Sequence, residues 1–153
     1  MEDVTKYSKN NSQYSIMTIS EIALSQIGIK EIVGKEHNSE VLKYFNETGH
    51  KWVKDDETAW CSAFINWVAF KADKPRSFKL NARSWLTVGK KVEVPKTGDI
   101  VILWRESPES WKGHVGIYCR DTKNYIYILG GNQGNSVSIK AYQKRQLLEY
   151  RRL

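Results

Sequence analysis

A cysteine, a histidine and an amide side chain stand at the edges of three apolar runs in this chain. Cys61 opens Cys61-Ser62-Ala63-Phe64-Ile65-Asn66-Trp67-Val68, and His114 opens His114-Val115-Gly116-Ile117-Tyr118. Asn132 follows Tyr125-Ile126-Tyr127-Ile128-Leu129-Gly130-Gly131. A thiol attacks only as thiolate, so it needs a base, and the base needs a partner that fixes which nitrogen carries the proton. Cys, His and Asn supply those three parts. At a helix N-terminus, unpaired N–H groups and the positive dipole end would favour the Cys61 thiolate and receive an oxyanion. Each residue also has a plainer reading: a small core thiol, a ring before a strand, a turn asparagine among glycines. The combination at three element ends is what points to nucleophilic catalysis.

The elements that must position these groups are legible in outline. Thr18-Ile19-Ser20-Glu21 is a capping-box pattern, and Ile19, Ile22, Ala23 and Ile27 follow at helical spacing up to Gly28. A second helix is expected from Ser39 to Glu47, capped by Asn38 and ended by Gly49. The third begins at Cys61, with Phe64, Ile65, Val68 and Ala69 on its inner face, and Asn81–Leu86 reads as one more short helix. The period then changes to two. Pro95–Asp99 is a turn into Ile100–Trp104, and strands follow at 114–119, 125–129 and 136–139, with Leu147–Arg151 closing the sheet. In the His114 strand, Gly116 and Tyr118 share the histidine's face, Gly116 leaving room beside the ring, while Val115, Ile117 and a buried, inert Cys119 share the other. Helices first and an antiparallel sheet afterwards predict an α+β fold.

Composition narrows the classes. A chain of 153 residues, 41% hydrophobic and 27% charged, fits one globular domain, read as a lead-in over 1–15 and a folded unit over 16–153. Its six Trp and eight Tyr suit both a core and a surface for polymeric or sugar-like ligands. The net charge of +7 favours anionic polymers, but no dense basic tract or zinc-finger spacing supports a nucleic-acid reader. Two cysteines make no disulfide framework, and no run approaches a membrane span. The polar start lacks the apolar core of a secretory signal, so synthesis in the cytoplasm is expected. Asp55-Asp56-Glu57 reads as a solvated turn rather than a cation site, and no metal or other cofactor is expected.

Taken together, Ala59-Trp60-Cys61-Ser62-Ala63-Phe64, Pro95-Lys96-Thr97-Gly98-Asp99-Ile100-Val101, Gly113-His114-Val115-Gly116 and Leu129-Gly130-Gly131-Asn132-Gln133 resemble the CHAP/NlpC-type cysteine peptidases and amidases. The branch they are most similar to occurs in phage lysins and antibacterial effectors. Upstream, residues 28–34 and 44–49 resemble that family's helical lead-in. The resemblance implies a papain-like fold and hydrolysis of an amide bond of peptidoglycan, by an endopeptidase or an N-acetylmuramoyl-L-alanine amidase. It implies Cys61 as nucleophile, His114 as base and then acid, and Asn132 as the orienting residue. Trp60, Ser62 and Gln133 would flank the substrate. It also implies a monomer that reaches the cell wall after lysis or delivery, and a small inhibitor protein if the chain is a toxin. Calcium-binding relatives carry an acidic loop ahead of the cysteine, and here only Asp55-Asp56-Glu57 stands there. The competing readings are a non-catalytic wall-binding module and an acyl or peptidyl transferase on the same fold.

Overall fold

Thr18 caps the first helix. Its Oγ1 accepts the Glu21 N–H at 3.2 Å, and Glu21 Oε1 accepts the Thr18 N–H at 3.1 Å. In the computed structural model, which describes residues 17–32, 37–51 and 59–153, this helix is α1 (Ile19–Leu24). The chain leaves it through Gly28 at φ +95°, a conformation that disfavours any side chain. Helix α2 (Ser39–Asn46) starts on Asn38, whose Oδ1 accepts the Glu40 N–H at 2.8 Å. Helix α3 (Cys61–Lys71) has no side-chain cap and is buried on almost every side, where the sequence suggested only one inner face. A helix apolar all round must be enclosed, and α3 is covered by α1, α2 and the sheet. The fourth expected helix is a 3₁₀ helix, Ala82–Thr87.

Six strands follow: β1 (Lys90–Val92), β2 (Ile100–Trp104), β3 (Gly113–Asp121), β4 (Tyr125–Gln133), β5 (Ser136–Gln143) and β6 (Leu147–Arg152). They form one antiparallel sheet in the order β1-β6-β2-β3-β4-β5. The fold is therefore α+β. Ile100, Ile102, Val115, Ile117, Leu129 and Val137 point at the helices and join the main core. Val101, Leu103, Tyr118, Ile126, Ile128 and Tyr150 form a second cluster on the other face. Burial on both faces is why β2 reads as a continuous apolar run. The proposed lead-in over 1–15 and Asp55-Asp56-Glu57 lie outside the described residues.

Polar groups inside this core tie the helix to the loop after it. Asn66 Oδ1 accepts the N–H groups of Ser77 and Phe78, both at 3.1 Å, and its Nδ2 donates to Lys79 O at 3.0 Å. Ser62 Oγ donates to Lys79 O at 2.6 Å and accepts Trp85 Nε1–H at 3.0 Å. Buried amides and hydroxyls are tolerated only when so satisfied. The effect is to fix residues 79–85 against the start of α3, beside Cys61.

Candidate active site

The cysteine end of α3 is brought onto the sheet by a glycine. A Cβ on Gly131 would lie 2.8 Å from Phe64 Cβ and 2.8 Å from two carbons of the Trp60 ring, so only glycine lets α3 approach β4 this closely. Cys61 is thereby 8% exposed, at the floor of a cleft of about 290 Å³. Leu80, Asn81, Ala82, Arg105, Trp111, Gly113 and Asn132 contribute to its walls. A larger hollow of about 670 Å³, against Thr18, Lys74 and Arg152, contains no thiol and no imidazole.

His114 is only 1% exposed and sits on the sheet face of Tyr118, as strand alternation predicts. The space at Gly116 is filled by an Ile128 methyl rather than left open beside the ring. His114 Nε2 lies 2.9 Å from Gln133 Oε1. Gln133 Nε2 donates to Ile128 O at 3.1 Å and to Ser138 O at 2.7 Å, which fixes the amide with its oxygen toward the histidine. An oxygen can only accept, so Nε2 carries the proton and Nδ1 holds the free lone pair. Nδ1 is buried without a hydrogen-bond partner. The Tyr142 ring stacks on His114 at 5.1 Å, its hydroxyl 3.2 Å from Nε2.

Gln133, not Asn132, thus makes the orienting contact expected of Asn132. The reason is a bulge. Regular alternation along β4 would place Asn132 on the face of Ile126 and Ile128, the face of His114, and Gln133 on the helix side. The register against β5 shifts between Gly130 and Gln133, and Asn132 takes φ +59°. One extra residue moves Gln133 to the histidine's face and turns Asn132 out into the Cys61 cleft. Gly130 makes room, since a Cβ there would lie 2.7 Å from Gln133 Oε1.

The expected substrate contacts are placed differently too. Trp60 and Ser62 are fully buried: Trp60 Nε1 donates to Glu31 Oε2 at 3.0 Å, and Ser62 bonds Lys79 and Trp85. Gln133 is spent on His114. None of the three presents a surface to a ligand. Arg105, Trp111 and Tyr142 were not singled out from the sequence. Trp111, 73% exposed in a polar loop, is the one that carried a signal there.

Electrostatics also departs from the simple helix-end expectation. Burial pushes the Cys61 thiol up, and this exceeds the opposing effects of the Val115 N–H, the Arg105 charge and the N–H groups of Ser62 and Cys61. Desolvation lowers His114 to about 4, against the Gln133 hydrogen bond that raises it. Thiol and imidazole are therefore both neutral at rest. Tyr142, within the electrostatic reach of Cys61, is pushed up to about 12 by burial. Cys119 is half-buried, its thiol raised by desolvation, and no disulfide joins it to Cys61. Among the described residues, no three His, Cys, Asp or Glu side chains gather as metal ligands.

No model of a known protein family matches the chain, and no curated protein shows significant similarity to it.

Proposed function

We propose that this chain is a cysteine hydrolase of papain-like architecture that cleaves an amide bond of peptidoglycan, as a phage lysin or a delivered antibacterial effector. One arrangement carries this reading: Gln133 holds His114 with its proton on Nε2, leaving a buried, unpartnered Nδ1, and the next residue, Val115, gives its backbone N–H to the Cys61 thiol at the start of α3. Buried ring nitrogens of a purely structural histidine are ordinarily hydrogen-bonded. The bond cut is a sugar–peptide amide, a stem-peptide bond or a cross-link.

In this mechanism substrate fills the cleft and His114 Nδ1 takes the proton from Cys61 as sulfur attacks the carbonyl. Because thiol and imidazole start neutral, proton transfer accompanies attack instead of preceding it. The N–H groups of Cys61 and Ser62 at the start of α3 face the developing oxyanion. His114 then protonates the leaving amine and activates water to release the acyl-enzyme. Gln133 stabilises the transient imidazolium through its Oε1. A small protein occluding this cleft would act as the inhibitor of a toxin form.

Mass spectrometry of purified peptidoglycan after incubation with the protein and with Cys61→Ala tests the proposal. New fragments from the wild-type protein alone would identify the bond. Release by neither, across wall types and with or without calcium, would overturn it and leave a wall-binding module. Fragments joined to an added amine would indicate acyl transfer instead.

A further inference from the structure

Resting on the hydrolase reading, we infer that the Cys61 cleft selects a substrate with a free carboxylate close to the scissile amide, and that Arg105 reads it. Three observations support this. First, among the described residues the cleft walls carry Arg105 and Lys112 and no acid. Lys112 is already paired with Glu106 at 2.7 Å, whereas no carboxylate among the described residues pairs with the Arg105 guanidinium. Second, the Arg105 charge reaches the reacting groups, acting on Cys61, His114 and Tyr142 alike. Arg105 and Cys61 line the same cleft, so an anion held by Arg105 is held in the cleft of the thiol. A guanidinium offers a planar pair of donors that matches a carboxylate, and such charge-assisted bonds are about twice as strong as neutral ones.

Third, the segment carrying Arg105 is built to hold its shape. The Arg83 guanidinium donates to the carbonyls of Lys112 at 2.9 Å, Pro108 at 2.7 Å and Ser107 at 3.0 Å. Arg105 N–H bonds Lys112 O at 3.3 Å, closing the base of the loop. Trp111 stands at its rim as an exposed indole face, a platform for the sugar or aliphatic part of the same substrate. A cation on a held loop in the cleft of a nucleophile, with an aromatic wall beside it, fits an acidic peptide better than a neutral one.

The test uses two synthetic stem peptides, identical except that the carboxyl group next to the scissile amide is free in one and amidated in the other. Binding to Cys61→Ala protein is measured by calorimetry, so turnover plays no part. The free acid is expected to bind at least about tenfold more tightly, a preference that Arg105→Gln removes and added salt weakens. Arg105 is exposed, and circular dichroism of the variant verifies its fold. Equal affinity for the two peptides, or a preference that survives Arg105→Gln, overturns the inference. Cleavage of both peptides by the wild-type protein in that case leaves the hydrolase reading standing. Carboxylate-selective binding without cleavage of either peptide would do the reverse.

Discussion

With its Nε2 hydrogens taken by the carbonyls of Ile128 and Ser138, the Gln133 amide has no freedom to flip, and its oxygen dictates the tautomer of His114. The same enclosure sets the acid–base behaviour of the ring. His114 titrates near 6.5 in an unfolded chain and at about 4 in the folded protein, chiefly through desolvation. Between these values the unfolded state binds a proton that the native state refuses, so stability falls as pH drops from 6.5 toward 4 and levels off below. Above pH 6.5 both states are neutral at this site and the full stability is present. The expected loss attributable to His114 is up to about 3 kcal/mol. Urea unfolding at pH 7.5 and 4.5, for wild type and His114→Gln, would show it as the extra pH sensitivity of the wild type. Equal sensitivity in both proteins would mean that the ring is more hydrated than its burial implies.

At the scale of elements, local signals were legible and non-local ones were not. The caps at Thr18 and Asn38, Gly49 after α2 and the starts of the period-two strands depend on neighbours within a few residues and stand where the sequence put them. Helix α1, by contrast, ends at Leu24, ahead of the expected stop at Gly28 and leaving Ile27 exposed, and β4 and β5 run past their expected ends to Gln133 and Gln143. Strand β1 is three residues, two of them lysine, with no apolar alternation to announce it. The insertion of β6 between β1 and β2 is decided by distant contacts, including the paired Arg152–Asp99 bonds of 2.7 and 2.8 Å. The exchange of roles between Asn132 and Gln133 needed the bulge, which two glycines permit without marking its position. Arg83 was hidden for the same reason: its three acceptors lie 24 to 29 residues away. Arg83→Ala should leave the core intact while releasing those carbonyls, so that the loop from Arg105 to Lys112 loosens. Hydrogen exchange should then quicken at Arg105, Ser110 and Lys112, with β3 and β4 unchanged, and KM should rise more than kcat falls. Unaltered exchange in that loop would show that the Glu106–Lys112 pair holds it alone.

For the molecule as a whole, charge is the property that no single element explains. Twenty-four Lys and Arg residues outnumber seventeen acids, giving +7, and a field of this sign would concentrate the proposed wall hydrolase on an anionic polymer before any cleft is engaged. Screening distinguishes that long-range attraction from the short-range chemistry at Cys61. The Debye length falls from about 10 Å at 0.1 M salt to about 3 Å at 1 M, so attraction to a sacculus should fade over this range. In the proposed hydrolase, turnover of a small, uncharged, soluble amide would depend instead on the buried His114 and Cys61, which salt reaches far less. Raising salt should therefore lower sedimentation of the protein with purified walls by about tenfold or more, while kcat on the small substrate changes by less than about twofold. Parallel loss of both would mean that ions compete inside the cleft, with Arg105 as their point of attachment. Wall association indifferent to salt would move its source from the basic surface to aromatic contacts, with the exposed Trp111 as the first side chain to remove.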